Sequence, residues 1–253
     1  MSIGSGRTLK ACVAQIGQID PAQHRLVSLV GAIAQDGSSN RYDVAQQLSE
    51  KTGGKHFMLP APLMADSETE RAQWVNHRLY CIVDELAQRA DVTFVGIGNV
   101  GVNCPLHEDG FITLAEVDEM MGMGAVAKWL GLPIDADGHR VQSKTGPRVT
   151  SLKLDTPPKR PTIGFAGGQR KREALIAALR ENGCRDSSPT NCARRPRSKR
   201  ETSEVDLGVH SHTDLQRGAL AFHDHRVLAK GQRAVELLAR AIGAHRVERL
   251  VRP

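Results

Sequence analysis

Aromatic side chains are scarce in this 253-residue chain: Phe, Tyr and Trp together make up 4% of it. Any core must therefore be assembled from Val, Ile, Leu and Ala, and apolar residues at 40% are enough to build one. Cysteine is also sparse. The five cysteines are scattered, odd in number and without a Cys-x-x-Cys pair, which argues for a reducing cytosol rather than a disulfide framework. No long hydrophobic run is present; Val92 to Val95 is far too short to cross a bilayer. Met1 to Gly6 carries neither a basic nor an apolar signal region, so the expected location is cytoplasmic, with no membrane partner.

The net charge of +6 suggests a nucleic-acid partner until its distribution is read. Residues 1–183 hold 20 Lys/Arg and 20 Asp/Glu, whereas residues 184–253 hold 14 basic and 8 acidic side chains. The attraction for phosphate backbones is thus confined to the last part of the chain.

Helical and strand periods alternate along the first 183 residues. Helices are expected over Arg7 to Ile16, Tyr42 to Thr52 (stopped by Gly53-Gly54), Ser67 to Arg89 with Ser67 as cap, Thr113 to Met121 with Thr113 as cap, and Gln169 to Arg180. Strands are expected over Arg25 to Ala34, His56 to Leu59 (closed by Pro60), Asp91 to Gly98, Arg148 to Leu154 and Arg160 to Ala166. This alternation predicts an α/β fold, a parallel sheet with flanking helices. Residues 184–229 lack an apolar period and are expected to remain a disordered basic tail. Residues 230–253 contain one isolated amphipathic helix on the same reading.

Three glycine-containing segments are the candidates for the chemistry, two at strand ends and one before the first helix. Pro161 to Ile176 delivers Gly167 and Gly168 to the carboxyl end of a strand just where a helix starts, and Lys171 adds a charge to its first turn. Free amides at such a helix start bind anions, although a tight turn with a solvated lysine has the same sequence. Gly96 and Gly98 form a second such edge. It is not a dinucleotide fingerprint, because the third glycine, Gly101, comes one residue early and Pro105 intervenes. Gly6, Arg7 and Thr8 form the third, where small residues, a hydroxyl and a guanidinium suit phosphate. No Ser-His-Asp or Cys-His set can be assembled. The pairs His210/His212 and His223/His225 lack well-placed companion ligands, so neither metal nor cofactor is expected.

Read in order, Gly6-Arg7-Thr8, Val27 to Gly31, Leu59 to Pro62, Ala90 to Gly98, Asp109-Gly110-Phe111, Gly124-Ala125-Val126, Asp135 to Gly138, and Gly164 to Gly168 with Lys171 resemble the SorC family of sugar-responsive bacterial transcriptional regulators. The match runs from about residue 4 to residue 183 and covers the effector-binding domain alone. The resemblance implies a Rossmann-like domain related to sugar-phosphate isomerases, a phosphorylated sugar as effector, homo-oligomers, and DNA contact only through a helix-turn-helix domain that this chain lacks. It places phosphate on Thr8, Gly167, Gly168 and Lys171, beside Gly6 and Arg7. It sets Asp135 near the sugar hydroxyls, and Gly31, Gly96 and Gly98 around the effector.

This chain departs from the family pattern in three respects. The strand that leads into Gly6-Arg7-Thr8 is expected to be missing or nearly so. Lys128-Trp129 stand where an acidic and an aliphatic residue are usual. After the Lys171 helix the family continues Gly-Leu-Val-Thr-Asp-Glu, whereas Arg185 to Cys192 are encodable so that another frame reads those residues, which suggests a shifted reading frame near residues 181–184. The implied function is sugar-phosphate sensing without catalysis. The alternatives are a sugar-phosphate isomerase or deaminase, which needs a positioned base, and a nucleic-acid binder acting through Arg194 to Arg200.

Overall fold

The computed structural model describes residues 1–17, 24–155, 159–167, 171–181, 219–223 and 226–230. In chain order the elements are β1 (Ser2–Ile3), α1 (Arg7–Ala14), β2 (Arg25–Ile33), α2 (Val44–Thr52), β3 (Lys55–Pro62), α3 (Glu68–Val75), α4 (Arg78–Gln88), β4 (Thr93–Asn99), α5 (Pro105–Glu108), α6 (Leu114–Gly122), β5 (Ala125–Trp129), β6 (Leu132–Asp135), β7 (Thr162–Gly167), α7 (Arg172–Glu181), β8 (Ala219–His223) and β9 (Arg226–Lys230).

The main sheet runs β3-β2-β1-β4-β7-β8-β9. Its first five strands are parallel, while β8 and β9 are antiparallel. Side chains alternate across it, as the strand period requires. Leu26, Phe94 and Phe165 pack with Ile3, Leu9, Val13 and Leu48 under α1 and α2. Their neighbours Val27, Val95 and Ala166 face Tyr80, Val83 and Leu175 of α4 and α7. A third cluster, with Phe111, Val117, Met120 and Ala125, fills a smaller lobe around α6. The α/β architecture with helices on both faces is thus observed.

Local signals worked where the partner is local. The Asp43 carboxylate caps α2 and Gly53 closes it with φ 63°. Ser67 caps α3, and Thr113 with Glu116 makes a full capping box on α6. Elsewhere the structure corrects the sequence reading. β3 continues through Pro60 to Pro62, because as the outer strand it pairs with β2 alone and its far edge needs no donors. Arg148 to Leu154 is not a strand. It makes one bridge, Met64 to Val149, and its carbonyls are instead taken by side chains: Tyr80 Oη donates to Thr150 O at 2.8 Å and Arg71 Nε to Val149 O at 2.6 Å.

The lead-in strand is present after all. β1 is only two residues long, yet it lies mid-sheet, bonded to β2 on one side and β4 on the other. Ser2 Oγ meets Thr93 Oγ1 at 2.7 Å beneath it. The hairpin β5–β6, which the sequence reading missed, branches from the sheet on the last residues of β4. Within the stretch 184–230 the described residues form two five-residue strands, β8 and β9. The proposed helix after residue 230, the arginine cluster at 194–200 and the region of the suggested frame change lie outside the described residues.

Candidate functional site

The chain builds outward from β1 in both directions, β2 and β3 to one side, β4 and β7 to the other. Ligand crevices in parallel sheets open where the order reverses, beyond the strands' carboxyl ends. Here that position holds the loop from β1 into α1, the end of β4, and the start of α7. β4 also changes partner at this height: Gly96 is its last residue paired with β7, and Ile97 the first paired with β5. The sheet splits there and leaves a solvent-open cleft with about 660 Å³ of space.

Gly6, Arg7, Thr8, Gly96, Gly98 and Lys171 all line this cleft. Two glycines make the loops' close approach possible. Gly6 is the N-cap of α1 with φ 144°, a conformation that side-chain-bearing residues rarely adopt. A Cβ on Gly96 would sit 2.4 Å from Ser5 O, so only a glycine lets the two backbones touch. α1 has no side-chain cap and no acidic residue in its first turn. Its leading amides therefore face the cleft without intrahelical acceptors.

The other sequence-named residues stand apart. Gly31 is not among the lining residues; a Cβ there would lie 2.2 Å from Pro62 O, so its glycine serves the β2–β3 contact. Asp135 is not among them either. Its Oδ1 accepts from Asp137 N at 2.9 Å and His139 N at 2.8 Å, which fixes the turn after β6. Gly167 ends β7 without lining the cleft, and Gly168 lies outside the described residues.

Tyr42, Pro105, Leu130 and Phe165 also form the walls, and the sequence did not nominate them for this role; Lys128, singled out in the sequence as a departure from the family pattern, joins them. Tyr42 stacks between Arg7 and Arg41, whose guanidinium carbons lie 5.9 and 5.0 Å from its ring centre. Arg7 forms an ion pair with Glu108 of α5 at the rim. Leu130 is the one described non-glycine residue with positive φ (49°). With Gly131 at 87° it makes the tight β5–β6 turn, whose backbone twist needs positive φ at both positions.

Charge is graded with depth. Arg7 is exposed, Lys171 is partly buried and Lys128 is buried. Lys171 Nζ donates to Ile97 O at 2.8 Å. Burial first, then Arg7 and Lys128, pushes its ammonium below the usual lysine range. Lys128 stands opposite Gly98 in the ladder. Its buried Nζ has no hydrogen-bond partner. Burial pushes it down too, and the adjacent Cys104 thiol opposes the shift. Among the described residues no Asp, Glu or His lines the cleft. An anionic ligand suits this arrangement.

A Ser-His-Asp group does exist elsewhere. Ser28 Oγ lies 2.9 Å from His56 Nε2 and 3.2 Å from Asp43 Oδ1. The carboxylate reaches that same nitrogen, at 3.6 Å, and not the opposite one. A nucleophilic triad needs the imidazole between the other two, so this group ties α2 to the sheet. Among the described residues no cluster of three metal-ligating side chains assembles, and no helix is long and apolar enough to cross a membrane.

The chain is 30% identical over 180 residues to the erythritol catabolism regulatory protein EryD of Brucella abortus, covering 71% of this chain and 57% of that protein. It thus spans little more than half the length of that relative. A sugar-binding domain of a transcriptional repressor from Vibrio fischeri superposes with a TM-score of 0.63 at 23% identity, over 72% of this chain and 73% of that one. The full-length sorbitol operon regulator SorC of Klebsiella pneumoniae shares the fold, with a TM-score of 0.63 at 16% identity over 72% and 60% of the two chains. Residues 1–186 match the Sugar-bind family model, and the chain belongs to this family of sugar-binding domains of transcriptional regulators.

Proposed function

We propose that residues 1–183 form an effector domain whose cleft binds a phosphorylated sugar and performs no chemistry on it. The supporting observation is one cleft that joins the uncapped start of α1 to Lys171, with no carboxylate on its walls. The phosphate sits against the amides of Arg7 and Thr8, the Thr8 hydroxyl and the Lys171 ammonium, because helix starts and lysines both favour anions. The sugar extends past Gly96 and Gly98. In the full regulator, occupancy of this cleft alters how a cytoplasmic homo-oligomer holds operator DNA through a helix-turn-helix domain.

The test is a thermal-shift series with inorganic phosphate, glucose 6-phosphate, ribose 5-phosphate, fructose 6-phosphate and unphosphorylated glucose. A compound present at a hundred times its dissociation constant adds about 2.7 kcal/mol of stability. Phosphorylated sugars are expected to raise Tm and glucose is not, and Lys171→Gln is expected to abolish the rise. Turnover of any of these compounds favours the isomerase alternative. A Tm unmoved by every phosphate overturns the reading.

A further inference from the structure

The floor of the cleft carries a charge that a sugar with one phosphate leaves unanswered. Arg7 at the rim already has Glu108 as counter-ion, and Lys171 in the wall already has Ile97 O as acceptor. Lys128 has neither. It projects from β5, buried, with its stem against Gly98, and its Nζ lies beside the Cys104 thiol without an oxygen partner. Burying an ammonium in this way is costly unless a ligand oxygen completes it. Sugar hydroxyls do not compensate the charge, whereas an anionic oxygen does. We propose that the effector carries a second anionic group, a carboxylate or a second phosphate, which Lys128 receives at the floor while the first phosphate is held at the start of α1.

This proposal rests on the reading of the cleft as a sugar-phosphate site and adds the chemical class of the ligand. Its test is isothermal titration of the full chain at constant ionic strength with two matched pairs. Glucose 6-phosphate against 6-phosphogluconate probes a carboxylate; fructose 6-phosphate against fructose 1,6-bisphosphate probes a second phosphate. One charge-assisted contact is worth roughly tenfold in affinity. At least one two-anion compound is expected to bind about tenfold tighter than its partner, and Lys128→Met is expected to bring that ratio close to one. Lys128→Gln serves as a second variant, with circular dichroism to establish that both fold. Equal binding within both pairs, or a ratio that survives both substitutions, overturns the proposal while leaving the phosphate site standing. Failure of all four compounds removes the phosphate reading itself, and the proposal with it.

Discussion

Lys128→Met in the ligand-free chain is expected to stabilise the fold, the opposite of what most core substitutions do. The side chain is 5% exposed and its Nζ is unpartnered. Leaving a polar group buried without a partner costs about 1–3 kcal/mol. Methionine keeps nearly the same length and volume without the charge, so about 2 kcal/mol should be recovered. For a domain of this size each kcal/mol moves Tm by about 2–4 °C, which gives a rise of roughly 4–8 °C. The pH dependence has a definite sign. Burial holds the folded ammonium below its ordinary value of 10.5, so between the two values the unfolded chain binds more protons and native stability rises with pH. The advantage of the variant should therefore shrink as pH climbs toward 10.5. Calorimetry of both proteins from neutral to alkaline pH measures this. A variant that melts below the native chain at neutral pH, or a gap that widens with pH, refutes the account of Lys128 as an uncompensated buried cation.

Gly96→Ala is expected to lose roughly 1–3 kcal/mol, because its new methyl meets Ser5 O and must part the β1 and β4 loops. The same thermal melts should show a lost response to sugar phosphates, and native-like melting with an intact response would contradict the backbone contact. Thr113→Ala removes the capping box of α6 and should cost about 1 kcal/mol in urea titrations, with sugar-phosphate affinity unchanged. Glu116 supplies an acid-limb test. Burial alone would raise its carboxyl, but the Thr113 amide and hydroxyl and Arg148 outweigh it and hold it below its ordinary 4.5. Its stabilisation is complete above about that pH and disappears as pH falls through the folded value. Glu116→Gln should therefore flatten the loss of stability measured in acid.

Much of this molecule was legible in its sequence because the deciding interactions are local. Ser67 and Thr113 announce helices through amides within three residues, and Gly53 ends one by a backbone angle that it alone adopts cheaply. The glycines at 6, 96 and 98 and Lys171 could be named as candidates from strand ends and helix starts alone, and they do converge on one cleft. Gly31 and Asp135 could not be sorted in this way. A glycine needed for contact with Pro62 and a carboxylate that closes its own turn look, in sequence, like glycines and carboxylates that hold ligands.

Tertiary structure alone decided what depends on distant partners. β1 exists as a strand because β2 and β4 flank its two residues, and no two-residue segment has a period of its own. Arg148 to Leu154 has strand-like composition, but Tyr80 and Arg71 capture its carbonyls first. Lys128 shows in sequence only as a basic residue where the family pattern has an acidic one. It becomes the floor of the cleft because β5 leaves the sheet just where β4 stops pairing with β7, and only that fork buries an ammonium against the cleft.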